Sequence, residues 1–169
     1  MTGRNAKAEQ LFEEALETGR TARRSLEPED VGMRRMVNEI LAGACFYLAD
    51  RDMKRGDTKR ALERLRQSVL YGATHENVGN LMYVLLKMRR YAELLRVGSD
   101  ALDKGLEGPG IYYNMACAKA ARRIVGEAVT YLKKAAELDA SVVDMATEDE
   151  DLAGIRSEQE FKRFVKRGG

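Results

Sequence analysis

The sequence predicts an all-α protein made of stacked helix pairs, and three observations support this prediction. Apolar residues recur at three- and four-residue spacing along most of the chain, which is typical of amphipathic helices. Proline occurs only as Pro28 and Pro109, so little interrupts a helix. The stretch 109–140 repeats, at a shift of 34 residues, the pattern of small and large apolar residues that precedes it. A repeat of this length is typical of helical arrays.

The composition is that of a chain able to bury a substantial core. Of the 169 residues, 44% are apolar and 33% are charged, and the formal net charge is +2. These values are typical of a folded, helix-rich protein. No uncharged apolar run approaches the roughly 20 residues that a membrane span needs, and the first ten residues lack the apolar core of a signal peptide. We therefore expect a cytoplasmic protein without a membrane span.

The first half of the chain predicts three helices. An amphipathic pattern covers residues 4–25. Pro28 and its acidic neighbours suit the start of a second helix that ends near Lys54, because proline is favoured in the first helical turn. A short glycine-containing turn separates it from a third helix over 58–71. We expect the second helix to bury one side, formed by Met33, Val37, Ile40, Leu41, Ala44 and Leu48.

Four more helices are predicted up to residue 140. Thr74 is expected to cap the fourth, and the fifth spans about 91–104. Gly98 lies in the middle of the fifth helix, where glycine costs about 1 kcal/mol relative to alanine. We interpret it as a place where a neighbouring helix approaches closely. The stretch 109–140 contains the sixth and seventh helices, joined by a tight turn.

The C-terminal part differs in composition from the repeats. Acidic residues are concentrated over 144–151, without the spacing and central glycine of a calcium loop, so this segment is expected to be a solvated linker. A last amphipathic helix is predicted over about 157–166, and its apolar side consists of Phe161, Phe164 and Val165.

The helix–turn–helix unit resembles the tetratricopeptide repeat. With residue 109 as the first position, the core places of that repeat correspond to Tyr112, Met115, Ala116, Ala128, Leu132 and Ala135. The unit starting at His75 supplies Val78, Leu81, Met82, Leu85, Leu94, Gly98 and Ala101. The unit starting at Ala42 supplies Cys45, Leu48, Ala49, Ala61, Leu65 and Ser68. Two signature places of the last unit are missed, where Lys119 and Ala140 stand instead of an aromatic residue and a proline.

The resemblance implies a right-handed α-solenoid, a superhelix of antiparallel helix pairs, as a single domain over residues 1–169. Its parts would be N-terminal helices or a half repeat (1–41), three repeats (42–74, 75–108 and 109–142), and an acidic linker with a C-terminal capping helix (143–169). The segment 151–156, followed by Phe161, is similar to the one that closes bacterial arrays of this family.

The resemblance also implies a binding site. In this family the first helix of each pair lines a concave groove that holds a peptide or an amphipathic helix. Carried over position by position, the groove consists of Phe46, Met53, Asn80, Tyr83, Leu86, Lys87, Tyr113, Asn114 and Cys117. The amides of Asn80 and Asn114 offer donors and acceptors to a peptide backbone, and the other residues are mostly apolar. We expect a non-enzymatic scaffold that binds another protein.

Other functions stay open as alternatives. Recognition of an acidic C-terminal tail by the family's carboxylate clamp is not expected, because Phe46 and Asp50 stand where that clamp has Lys and Asn. A small secretion chaperone also has three such repeats and an N-terminal helix, although those proteins tend to be acidic. An RNA-associated factor would use the basic stripe of residues 51–66, which lacks aromatic stacking residues. We do not expect nucleic acid to be the partner.

The sequence gives little support for catalysis, a metal or a cofactor. His75, the single histidine, lies in a predicted turn with no cysteine or paired carboxylate beside it. Cys45 and Cys117 are far apart in sequence and are expected to be reduced core residues. We therefore expect no enzyme activity, no metal site and no cofactor. A homodimer formed through the N-terminal helix is a further prediction.

Overall fold

The structure, a computed structural model, describes residues 3–168. Over this range it contains nine α-helices, one 3₁₀ helix and no β-strand, so the all-α prediction is confirmed. The α-helices are α1 (Gly3–Ser25), α2 (Val31–Lys54), α3 (Thr58–Tyr71), α4 (His75–Lys87), α5 (Tyr91–Asp103), α6 (Pro109–Ala121), α7 (Val125–Leu138), α8 (Val142–Glu148) and α9 (Gln159–Gly168). The 3₁₀ helix, Glu150–Ile155, lies between α8 and α9 in the chain.

The chain divides into two compact units, Met1–Asn77 and Val78–Gly169. In the first unit, α1 and α3 pack on α2 around a cluster of fully or nearly buried residues, Leu16, Val37, Leu41, Ala44, Cys45 and Leu48. Gly19 allows α1 to approach α2, because a Cβ atom at this position would lie 2.8 Å from Cδ2 of Leu41. Phe12 of α1 stacks on Tyr47 of α2, with ring centroids 4.1 Å apart.

One side of α2 differs from the prediction. Met33 and Ile40, which were expected in the core, are each about half exposed, at 50% and 51%. The buried side instead includes Cys45, Ala49 and Asp52. The physical reason is that α1 and α3 cover only part of the circumference of α2, so that apolar residues continue around the helix onto its uncovered side.

In the second unit, α6 is the central helix. Every residue from Ile111 to Ala118 is buried, and α5, α7 and the 3₁₀ helix all pack against it. Gly98 of α5 lies where the prediction placed a close approach: a Cβ atom there would lie 2.8 Å from Sδ of Met115 and 2.9 Å from Cε of Met82. α9 completes this unit by packing on α7 and α8.

The same turn follows the first helix of each pair. Gly56, Arg89 and Arg123 all have positive φ angles, of 79°, 56° and 56°. After each of them, a backbone N–H donates to the carbonyl five residues earlier: Asp57 to Asp52, Arg90 to Leu85 and Ile124 to Lys119, at 2.9, 2.8 and 3.0 Å. This is the hydrogen bond of a left-handed helix C-cap. The turns therefore recur at the spacing of the sequence repeat.

The core positions of the three sequence repeats are all buried. The 19 residues that correspond to the family signature, from Cys45 to Ala135, each have less than a tenth of their surface exposed. Ser68, the polar one among them, donates its hydroxyl to the carbonyl of Ala42 and accepts the side-chain N–H of Asn77, so its burial leaves no hydrogen bond unmade. The capping role predicted for Thr74 is also confirmed, because Thr74 and Asn77 exchange backbone-to-side-chain hydrogen bonds.

The C-terminal segment is more ordered than predicted. The acidic stretch expected as a solvated linker forms α8 and the 3₁₀ helix. Its apolar residues are the reason, because they are buried in the second unit while Glu148 and Glu150 are exposed. The buried residues are Val142, Val143, Ala146, Leu152 and Ile155. The predicted last helix is present and begins at Gln159, with Phe161 and Phe164 buried.

Nowhere in residues 3–168 does the structure contain a helix that combines the length and the apolar character needed to cross a membrane.

Candidate binding surfaces

In the second unit, α4 exposes one narrow ridge. Asn80, Tyr83 and Lys87 lie at i, i+3 and i+7 and are all exposed, whereas the rest of the helix from Val78 to Leu86 is buried or half-buried. Tyr83 is 43% exposed, and the ammonium group of Lys87 lies 5.3 Å from the centre of its ring. We call these three residues the α4 ridge. Leu86, which was predicted to line the groove, is instead buried in the core.

The predicted groove residues of α6 are covered by the chain itself. Tyr113 and Cys117 lie one turn apart on the side of α6 that packs against the 3₁₀ helix. We call this surface the α6 face. Burial and the nearby charges of Asp149 and Asp151 raise the pKa of the Cys117 thiol. A thiol held in its protonated form is a poor nucleophile, so this arrangement does not favour cysteine chemistry.

Two acidic residues of the C-terminal segment bind polar groups on α4 and α6. The hydroxyl of Tyr113 donates to Oδ2 of Asp149 at 2.7 Å. Burial and this hydrogen bond raise the pKa of Tyr113, so its hydroxyl stays a donor. Nζ of Lys87 lies 2.9 Å from Oδ2 of Asp151, and the hydrogen bond to Asp151 raises the pKa of Lys87. The acidic segment is therefore attached by charged contacts as well as by its apolar residues.

The side chain of Asn114, predicted to bind a peptide, is buried and hydrogen-bonded within the chain. Its side-chain N–H group donates to the backbone carbonyls of Gly79 and Gly110, at 3.0 and 2.8 Å. Gly79 lies on α4, so this amide joins two helices of the second unit. A Cβ atom at Gly79 would lie 4.0 Å from the backbone of Gly110, which shows how closely the two helices approach.

In the first unit, a cleft opens beside Phe46. It has a volume of about 510 Å³, and its walls come from α2, from the end of α3 with the turn after it, and from the first residues of α4. Its lining residues are Arg35, Glu39, Ala42, Gly43, Phe46, Ser68, Gly72, Ala73, Thr74, Glu76 and Asn77. The floor is mainly small or apolar, and Arg35 and Glu39 form an ion pair at the rim. We call it the α2 cleft. Met53, also predicted for the groove, is half-buried and is not part of this lining.

Sequence reasoning missed the apolar surface that continues from this cleft. Met36 and Ile40 lie on α2 at helical spacing from Gly43 and are about half exposed, at 50% and 51%. The signal was present in the sequence, because α2 has apolar residues on more of its circumference than two neighbouring helices can cover. Flexible methionine side chains are common on surfaces that bind apolar segments.

The basic stripe is largely paired with carboxylates of the same unit. Of its seven cations, five form ion pairs: Lys54 with Asp50, Arg55 with Glu9, Arg60 with Glu13, Arg64 with both Glu13 and Asp52, and Arg66 with Glu63. Arg64 and Asp52 are both buried. Burial raises the pKa of Asp52, although Arg64 acts in the opposite direction. These contacts join α1, α2 and α3, and leave less positive charge for phosphate groups.

Among the side chains that the structure describes, no three His, Cys, Asp or Glu residues come together as metal ligands. Cys45 and Cys117 are both buried free thiols.

No family model matches this chain, and no curated protein is significantly similar to it in sequence. The candidate surfaces therefore depend on the geometry. Of the nine predicted groove residues, Asn80, Tyr83 and Lys87 share an exposed ridge, and Phe46 lines an open cleft. Tyr113, Asn114, Cys117 and Leu86 are buried, and Met53 stands apart from the cleft.

Proposed function

We propose that this protein is a non-enzymatic interaction module of the tetratricopeptide type, a right-handed helical array that binds an apolar or amphipathic segment of another protein. The observation that carries the proposal is the α2 cleft, together with the exposed Met36 and Ile40, which lie at helical spacing from Gly43 of its lining. A concave, mainly apolar site with a few polar groups at its rim suits an inserted apolar side chain or the apolar side of a helix.

The repeated turns and the buried signature positions support the family assignment within this proposal. A single helix pair with small residues would be weak support, since alanine and leucine are common in helices. Here the left-handed turn recurs at Gly56, Arg89 and Arg123, at the spacing of the sequence repeat. Stacked helix pairs of this kind bury their apolar faces against their neighbours and leave the inner helices to bind ligands.

The α4 ridge is the second surface in the proposal. Tyr83 offers a large aromatic ring and a hydroxyl at little cost in side-chain entropy, and aromatic residues are enriched where interfaces carry most of their binding energy. The ammonium group of Lys87 lies 5.3 Å from the centre of this ring, a distance at which the two groups attract each other.

Affinity purification with matched variants tests this function. Ile40→Glu would place a charge on the apolar surface beside the α2 cleft, and Tyr83→Glu would place one on the α4 ridge. Leu70→Glu is the control, because Leu70 of α3 is 82% exposed and belongs to neither surface. Because all three positions are exposed, each variant should keep its helical circular dichroism. We expect a common set of proteins to be lost with the first two variants and kept with the third. Equal recovery with all three variants would contradict the proposal.

The ion pairs of the basic stripe argue against the RNA-associated alternative. Five of its cations already bind carboxylates, and one of the five, Arg64, is buried together with its partner Asp52. An RNA strand would have to displace these carboxylates or bind the few remaining charges. The secretion-chaperone alternative has no specific observation in its favour.

A further inference from the structure

The acidic segment after α8 lies on the surface that the sequence predicted for a ligand. Tyr113 and Cys117 were expected to face a bound peptide, and both are instead buried on α6, which packs against the 3₁₀ helix. The contacts follow a short pattern. Asp149 accepts from Tyr113, Asp151 pairs with Lys87, and the two apolar residues Leu152 and Ile155 are fully buried.

From these contacts we propose that residues 149–155 act as an internal ligand, and that the α6 face accepts a partner segment of the same chemistry. That segment would carry one acidic residue for the hydroxyl of Tyr113, a second acidic residue two positions later for Lys87, and apolar residues one and four positions after that. This inference rests on the proposed function and specifies the partner for one of its surfaces.

The polar contacts of residues 149–155 go beyond what a segment needs if it serves only to cover the apolar core. Burial of Leu152 and Ile155 alone would suffice to close the end of a helical array. The segment in addition satisfies a buried tyrosine hydroxyl and places a carboxylate on Lys87, a member of the exposed α4 ridge. The Lys87–Asp151 pair is partly exposed, with 44% and 33% of the two side chains accessible, so it lies at the edge where an incoming segment would first make contact.

The shape of the segment is fixed locally. Oδ1 of Asp149 accepts the backbone N–H of Asp151 at 2.9 Å, which caps the 3₁₀ helix. Its other carboxylate oxygen is thereby aimed at Tyr113. A partner segment needs the same short turn after its first acidic residue, since an extended strand would not place both carboxylates and both apolar side chains together.

A partner segment must compete with residues 149–155, because these are joined to the α6 face by the chain itself. A segment joined to its binding surface by a short chain has an effective concentration of the order of millimolar. A free segment of equal strength therefore binds wild-type protein weakly. It binds well only if it makes better contacts or if the internal segment is weakened. Weakening the internal segment is the basis of the test.

The experiment uses the full chain and a fluorescein-labelled peptide with the sequence of residues 147–158. Asp149→Asn with Asp151→Asn removes both charges while keeping a side chain that can cap the 3₁₀ helix. Glu148→Gln with Glu150→Gln removes two exposed charges, one just before the segment and one within it, and is the matched control. Fluorescence anisotropy should show at least about tenfold tighter peptide binding to the Asn variant than to wild type or control, because hydrogen bonds to charged groups are the strong ones. A peptide with both aspartates changed to asparagine should not bind.

Alkylation of the two cysteines, followed by mass spectrometry, supplies an independent readout. Cys117 is buried near Asp149 and Asp151 of the segment, whereas Cys45 belongs to the other compact unit. We expect Cys117 alone to react faster in the Asn variant, and the unlabelled peptide to restore its protection. The proposal is overturned if the peptide binds the Asn variant no better than wild type, or if Cys117 stays as protected as before. It is also overturned if both cysteines become reactive together, since the two aspartates would then stabilise the whole chain rather than hold a replaceable segment. None of these outcomes depends on Ile40 or Tyr83, so the proposed function would be tested separately by its own variants.

Discussion

The hydroxyl of Tyr113 donates a hydrogen bond of 2.7 Å to Asp149, which lies 36 residues later in the chain. Tyr113 belongs to the most buried helix of the molecule, and Asp149 begins a segment rich in acidic residues. This bond means that the acidic segment is part of the folded second unit, and it explains why a surface predicted to be open is covered.

Removing the Tyr113 hydroxyl should lower the free energy of unfolding. Because the acceptor is a carboxylate and the donor is buried, Tyr113→Phe should cost about 1–3 kcal/mol in urea denaturation. Tyr83→Phe is the control and should cost less than about 0.5 kcal/mol, since its exposed hydroxyl can bond to water instead. In a double-mutant cycle with Asp149→Asn, the two changes should be strongly non-additive. Additive costs would show that the bond contributes little.

The recurring turn predicts opposite effects of glycine and arginine at equivalent positions. A non-glycine residue in the left-handed region is strained, so Arg89→Gly and Arg123→Gly should each raise the free energy of unfolding by about 0.5–1 kcal/mol. Gly56→Arg should lower it by a similar amount. Arg122→Gly, at a position where φ is −95°, is the control and should not stabilise. Thermal and urea unfolding of the four variants would measure these changes, and stabilisation by Arg122→Gly equal to that by Arg123→Gly would refute the explanation.

Two glycines inside helices should respond differently to alanine. A Cβ atom added at Gly43 of α2 would have no neighbouring atom within 4 Å, so Gly43→Ala should stabilise the protein by about 1 kcal/mol through helix propensity. At Gly98 the Cβ atom would overlap Met115 and Met82, and the cost of overpacking, about 1–3 kcal/mol, should exceed that gain. Gly98→Ala is therefore expected to destabilise. Equal stabilisation of both variants would contradict the explanation that α5 approaches α6 too closely for a Cβ atom at position 98.

The Glu9–Arg55 pair predicts a pH dependence of stability. Two N–H groups of Arg55 donate to the carboxylate of Glu9, at 2.5 and 2.6 Å, and this hydrogen bonding lowers the pKa of Glu9 below its usual 4.5. A carboxyl group with a lowered pKa stabilises the fold above its unfolded pKa, and the contribution is lost as the pH falls through the folded pKa. The difference in unfolding free energy between wild type and Glu9→Gln should therefore be largest near neutral pH and shrink below about pH 4.5.

Denaturation curves at pH 7, 5 and 3 would measure this difference. Glu17→Gln controls for the loss of one negative charge from α1. A difference for Glu9→Gln that stays constant over this range would mean that Arg55 does not act on the ionised carboxylate.

The helices were predictable because local signals agree with the fold. Thr74 caps α4 as its sequence indicates, and Gly98 lies at a close helix contact as its unfavourable position in a helix suggested. Periodicity indicates which side of a helix is apolar, but not how much of that side its neighbours cover. For this reason Ile40 was placed in the core, while the structure leaves it half exposed.

The acidic segment was mispredicted for a related reason. Its charge suggested a solvated linker, and the signal against this was the spacing of Val142, Val143 and Ala146, followed by Leu152 and Ile155. Whether such short apolar groups are buried depends on surfaces elsewhere in the chain, here α7 and α9 for α8, and α6 for the 3₁₀ helix. Contacts over 36 residues, such as Tyr113 with Asp149, have no local signature in the sequence.

Site-specific photo-crosslinking tests the central claim, that this chain binds a segment of another protein. Benzoylphenylalanine would replace Tyr83 on the α4 ridge and, as the control, Leu70 on α3, which is more exposed. The chain is irradiated in a native cell extract, and the crosslinked peptides are identified by mass spectrometry. We expect position 83 to crosslink to one defined segment of a partner and an excess of wild-type protein to abolish the product. The same mixture of products from positions 83 and 70, unaffected by wild-type protein, would contradict the account.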